Sequence, residues 1–219
     1  HEAEAQAIMN TNSNSYVMAF SIGLCVTVSS ILAVLATQLE ETQLAAAERD
    51  RQKNVMMAAG LIERGDPRSR EDLEALYQKQ VKAIVIDTRD GSIAEGKTSA
   101  DLEECNRAAE EANPAHKNAF RMMETALTPE GKLDAIILPV SGKGLWSTCY
   151  GYLALEADKN RVRGIQFYKH GETPGLGGEI ENAQWTAMWK GKQILNDQGK
   201  LVSVTVKKGK VDENIEREK

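Results

Sequence analysis

Residues 171–178 read GETPGLGG, and the fold has to be built around what this loop requires. Four glycines and one proline within eight residues demand a backbone that turns tightly or lies close against something. Thr173 precedes Pro174 and is biased away from helix toward an extended conformation. Gly175, Gly177 and Gly178 permit positive φ and leave room for a flat ligand against the peptide groups. Glu172 and Leu176 are the substantial side chains inside the loop. Such a loop can cradle a planar heterocycle, with Leu176 on the ring face and amides at its polar edge. The same composition also suits a plain Gly/Pro turn between a strand and a helix.

Immediately upstream, residues 149–156 and 162–169 form the arms of a hairpin across residues 158–160, and apolar residues dominate both arms. The hairpin is entered from SGKGLWS, residues 141–147, in which glycines flank Lys143 and Trp146 stands just before the strand. The hairpin brings this loop and the GETPGLGG loop to one end of a sheet. An indole held there can wall a flat aromatic pocket, and it can equally be core. Further strands are expected at 81–86, at 135–140, where Pro139 marks an edge or bulge, and at 201–206. Helices are expected at 38–62 and 68–79, separated by a break at Gly65-Asp-Pro67. The charged, alanine-rich stretch 97–128 reads as a solvated helical insertion. Residues 182–192 read as a helix with Trp185, Met188 and Trp189 on one face, and Trp185 and Trp189 are assigned to the core.

The amino-terminal region has a different character. From Ala5 to Leu39 there is no charged side chain, and the apolar centre, residues 16–35, is 20 residues long. At a rise of 1.5 Å per residue that is about 30 Å, the thickness of a bilayer core. Tyr16 stands where an interfacial aromatic would. A signal peptide would show a basic region before Tyr16, and none is there, while a buried soluble helix is seldom so long and uncharged. The stretch is read as a membrane anchor. The first basic residue after it is Arg49, so charge does not fix its orientation.

The 219 residues carry a formal charge of −5 and no basic stripe with interleaved aromatics, which excludes nucleic acid as the expected partner. Cys25, Cys105 and Cys149 form no CxxC pair, so no zinc knuckle or iron–sulfur site is encoded. A Cys105–Cys149 disulfide remains open for an exported domain. His1, His116 and His170 make no metal motif.

Taken together, the order of elements, LPVSGKGLWS and GETPGLGGEIEN resemble the C-subunit family of sodium-translocating NADH:quinone oxidoreductases, within the wider FMN-binding domain family. The GETPGLG run is shared with the G-type electron-transport component of Rnf complexes, and the GLWS and GEIEN windows favour the C-subunit family. The resemblance implies an α+β chain: one amino-terminal transmembrane helix, then a mixed α/β FMN-binding domain with a mainly antiparallel sheet. It implies an amino-terminal segment over 1–15, a transmembrane helix over 16–36, a helical connector over 37–80 and the FMN-binding domain over 81–219. The implied protein is a single-pass electron carrier of the bacterial inner membrane with a periplasmic domain. Its partners are the other membrane subunits, and it meets NADH and quinone only through them.

In that family FMN is joined through a phosphoester bond to the threonine of a Ser-Gly-Ala-Thr motif. No such motif occurs in these 219 residues, so none of their threonines is named as the attachment point. Either the chain continues past Lys219, or the flavin is held without that bond; a membrane-anchored assembly module without flavin is the remaining alternative. By resemblance Thr173, Leu176 and Gly177 line the isoalloxazine, and Glu172 lies beside its polar edge, where a carboxylate lowers the flavin potential. Trp146 covers a ring edge. Lys208 approaches the phosphate or ring carbonyls, or is simply an exposed strand-end lysine. Glu172 has its own plainer reading, a hydrogen-bond acceptor for loop amides. His170 can donate to the flavin or be a surface residue at a strand end.

Overall fold

The computed structural model describes residues 14–202. Five strands pair strictly in chain order, each antiparallel to the next: β1 (Val81–Asp87), β2 (Phe120–Leu127), β3 (Leu133–Lys143), β4 (Thr148–Glu156) and β5 (Val162–Lys169). Four helices accompany them: α1 (Asn14–Ala58), α2 (Arg70–Gln80), α3 (Leu102–Ala112) and the short α4 (Ala183–Ala187). The chain divides into two compact units after Asp50. In the first, α1 is long and apolar enough to cross a membrane, and its side chains from Val17 to Leu35 are exposed.

The second unit begins at Arg51, so it takes in residues 51–80, expected from the sequence to be connector. Val55, Met56, Ala58, Ala59 and Ile62 pack with Leu73 of α2 onto Ala126, Ala135, Ile137, Tyr152 and Ala154 of β2–β4. Alanines on the strands let the helix come close. The closest approach is at Gly164 of β5, where a Cβ would stand 2.6 Å from the Ala58 carbonyl oxygen. The helix ends there in a Schellman motif: Gly60 has φ +69°, its N–H donates to Met57 and that of Leu61 to Met56. At the start of α2, Ser69 accepts the Asp72 N–H at 3.1 Å, and Glu71 and Asp72 complement the helix dipole.

One carboxylate is buried in this core. Glu124, 2 % exposed, accepts hydrogen bonds from Arg51 and, at 3.1 Å, from the Tyr77 hydroxyl, which in turn accepts from Arg51 at 2.9 Å. Burial, followed by the Glu124 charge, pushes the Tyr77 hydroxyl up to about 12, so it stays a donor. The second Glu124 oxygen is buried without a hydrogen-bond partner among the described residues. The carboxylate therefore depends on Arg51.

Several expectations are corrected. Residues 97–128 are not a helical insertion throughout: only Leu102–Ala112 is α-helix, and Phe120–Leu127 is strand β2. Its charges disguised it, because Glu124 points into the core toward Arg51 while Arg121 is exposed. β3 does not end near Pro139 but runs to Lys143; β2 accompanies it only to Ile137, so Pro139 has a strand on one side only. The expected helix 182–192 shrinks to five residues. The chain turns at Gly191 (φ +82°) because Gly191 N–H and Lys192 C=O pair with Val162. Trp185 and Trp189 are half-buried, tilted against Phe167 and each other, rather than in the core, and Met188 is exposed. All three cysteines are free, so Cys105 and Cys149 are not joined. Of the expected strand 201–206, Leu201 forms a single bridge to Leu195, and the residues beyond 202 lie outside the described ones.

Replacing Arg51 with Met should destabilise this unit by about 3 kcal/mol, the low end of the range for breaking a buried ion pair, because Arg51 keeps 26 % of its side chain exposed. Adding Glu124→Leu should recover most of that loss. Urea denaturation of the detergent-solubilised chain measures both.

Candidate functional site

Two loops meet where β4 begins and β5 ends. The first, residues 144–147, is a tight reversal closed by the Gly144 N–H donating to the Ser147 carbonyl at 2.8 Å. The second leaves β5 at His170. Thr173, Pro174, Gly175 and Leu176 make a type II turn: proline stands at the second position, Gly175 supplies φ +73°, and the Leu176 N–H donates to the Thr173 carbonyl at 3.1 Å. The same carbonyl accepts from Gly178 at 3.0 Å, and the chain passes into a 3-10 turn over Gly177–Glu181.

Glu172 joins the loops. Its Oε1 accepts the N–H groups of Trp146 and Ser147 at 3.0 and 3.1 Å, and its Oε2 accepts that of Leu145 at 3.1 Å. Three successive amides turned toward one carboxylate form an anion-binding nest. Ser147 closes the junction from the other side, its Oγ accepting the Gly171 N–H at 2.6 Å. The seat of the carboxylate is cut by glycines. A Cβ on Gly144 would stand 2.5 Å from Glu172 Oε1, and one on Gly177 would stand 3.0 Å from Glu172 Cβ and Oε2. His170 accepts the Glu172 N–H on Nδ1 at 3.2 Å. Its Nε2 lies 3.1 Å from a Glu181 carboxylate oxygen without hydrogen-bond alignment.

Electrostatics agree with the geometry. The Trp146 and Ser147 amides hold the Glu172 carboxyl below its ordinary value of 4.5, with burial acting weakly the other way. The neighbouring Cys149 thiol is pushed up, first by burial and then by the Glu172 charge, so it stays protonated and a poor nucleophile.

What these pinned loops present outward is apolar. Leu145 is 80 % exposed, Trp146 71 % and Leu176 73 %. Large apolar side chains on a rigid frame, left uncovered, mark a surface meant for a partner or ligand. Gly175 beside them has open space where a Cβ would stand, whereas the positions beside Gly177 and Gly178 are taken up by Glu172 and by the Thr173 carbonyl. The exposed faces of Trp146 and Leu176 next to that open backbone fit a planar heteroaromatic group. A cleft of about 410 Å³ lies instead at the far end of the hairpin. It is lined by charges that pair with one another, Arg163 with Asp134 and Glu156, and Arg161 with Asp158.

Thus Trp146, Glu172, Thr173, Leu176 and Gly177 stand on two joined loops, whereas Lys208 lies outside the described residues. Sequence reasoning did not foresee Ser147 as a link between the loops, nor Gly144 as the seat of Glu172. The glycine at 144 was the available signal, since a glycine just ahead of a strand asks what approaches it.

Residues 144–216 match the FMN-binding domain family, beginning at the first of the two loops. This defines the class: a flavin-binding domain carried on an antiparallel meander. Among named proteins, the C subunit of the Na(+)-translocating NADH-quinone reductase of Pseudomonas aeruginosa is 36 % identical, over 93 % of this chain and 81 % of its own length. Its counterpart from Pasteurella multocida is 33 % identical, over 76 % and 67 %. The crystal structure of Shewanella oneidensis NqrC aligns with a TM-score of 0.61 at 32 % identity, covering 77 % of this chain and 80 % of that one. The chain belongs to the C-subunit family of Na(+)-translocating NADH-quinone reductases.

Because the folded value of Glu172 is depressed, its contribution is fully present above its ordinary value and disappears as pH falls through the lowered one. The amide resonances of Leu145, Trp146 and Ser147 should therefore show their common loss of the Glu172 contact only below about pH 4.5. A common midpoint above that would show that another group governs the loops.

Proposed function

We propose that this chain is the FMN-carrying electron-transfer component of a sodium-translocating NADH:quinone oxidoreductase. The observation that carries the reading is the FMN-binding domain match opening at Gly144, where the structure has two loops hydrogen-bonded to each other with uncovered apolar side chains. Its family membership supports the assignment to an oxidoreductase complex with other subunits as partners.

When bound, FMN supplies reversible electron transfer, and the protein supplies position, potential and shielding. Leu176 packs on the ring face and Trp146 covers a ring edge, keeping water away. Thr173 and Gly177 line the ring with backbone, and Glu172 lies beside its polar edge. Lys208 is proposed for the phosphate or ring carbonyls. The phosphoester to a threonine is proposed on the family pattern alone, with no threonine of these 219 residues as its acceptor. Residues 16–36 form a single membrane span, 37–80 lead from it, and the domain from residue 81 onward faces the periplasm. The span rests on the uncharged stretch around 16–35 and the exposed apolar side chains of α1, and the periplasmic side is proposed on the family pattern alone. NADH and quinone react at partner subunits.

Leu176→Asp is the direct test. It removes an apolar contact and sets a carboxylate against the ring, at a cost of a few kcal/mol. The visible spectrum and reduction potential of the bound flavin should both move. If neither moves, Leu176 is not at the flavin.

A further inference from the structure

We propose that Glu172 is the positioning residue of the flavin site, setting where Trp146 stands by seating its carboxylate in the amides of Leu145, Trp146 and Ser147. The inference rests on the flavin reading above and deepens it.

Trp146 is 71 % exposed, so packing does little to place its indole, and the loop backbone must do it. That backbone is held from outside by Glu172 through three hydrogen bonds of 3.0–3.1 Å and by one Ser147–Gly171 link. Hydrogen bonds to an ionised acceptor are the stronger kind. A carboxylate is also the side chain that suits three donors at once: it has two oxygens and no hydrogen to turn toward an N–H. Glutamine would present one oxygen and an NH₂ group to the same amides. The fit is specific in shape as well, since Gly144 and Gly177 admit the carboxylate only because they lack Cβ atoms. The Glu172 charge is thus satisfied inside the protein, and its effect on the flavin runs through Trp146 rather than as a free anion beside the ring.

Two variants separate these roles. Glu172→Gln removes the charge. Gly144→Ala keeps the charge but pushes the carboxylate off its amides, because the new Cβ meets Glu172 Oε1 at 2.5 Å while the backbone at 144 accepts a side chain. In the full-length chain without FMN, both should raise hydrogen exchange at the 145–147 amides at least ~10-fold, the loss of a charge-assisted bond. Amides of Leu153 and Ile165 in the hairpin should keep their protection, which shows that the domain remains folded. In the same chain with FMN, both should shift the visible spectrum and the reduction potential in the same direction. If Glu172→Gln alone shifts the potential, the carboxylate acts directly as a charge and the proposal fails. Unchanged exchange in both variants overturns it too. Raised exchange with an unmoved flavin would show that the loop is remote from the ring and overturn the positioning role; Leu176→Asp then tells whether the flavin reading fails with it.

Discussion

A carboxylate held by peptide N–H groups is the constraint on which the functional end of this domain depends. Residues 144–147 and 170–178 have few apolar side chains turned inward, and neither would hold its shape by packing. Glu172 supplies the missing order by satisfying three amides that a tight loop cannot satisfy internally. The type II turn at Pro174 and Gly175 adds local stiffness. The loops can then expose Leu145, Trp146 and Leu176 without collapsing onto them.

The sheet beneath makes this placement possible. A meander in chain order puts both ends of the β4–β5 hairpin at defined positions, so the loop entering β4 and the loop leaving β5 are neighbours by topology alone. The helical layer in turn steadies the sheet. The close contact of Ala58 with Gly164 and the Arg51–Glu124–Tyr77 group fix the end of α1 and α2 on the strands. Hydrophobic burial provides the attraction, and the buried Glu124 carboxylate favours the register of helix on sheet that brings Arg51 to it.

Much of this was legible in the sequence for physical reasons. The hairpin followed from two apolar arms around a polar turn, α2 from the Gly65-Asp-Pro67 break that precedes it, and the loop pairing from hairpin geometry. β2 was not legible, because a strand whose inward face carries Glu124 has no apolar alternation until Arg51 is known to meet it. The helix at 182–192 was overextended, because helical spacing of Trp185, Met188 and Trp189 says nothing about the backbone of Val162 that captures Gly191 and Lys192. At the site, the identity of the loop residues was readable and their wiring was not. Glu172 was placed by resemblance beside a flavin, while its engagement by amides 25 to 27 residues away needed coordinates.

The central claim is that the flavin ring rests on these two loops. Nuclear Overhauser contacts between flavin ring protons and protein side chains in the FMN-loaded chain test it most directly. The account predicts contacts to the Leu176 methyl groups and the Trp146 indole. Contacts to Trp185 or Trp189 in their place would contradict it.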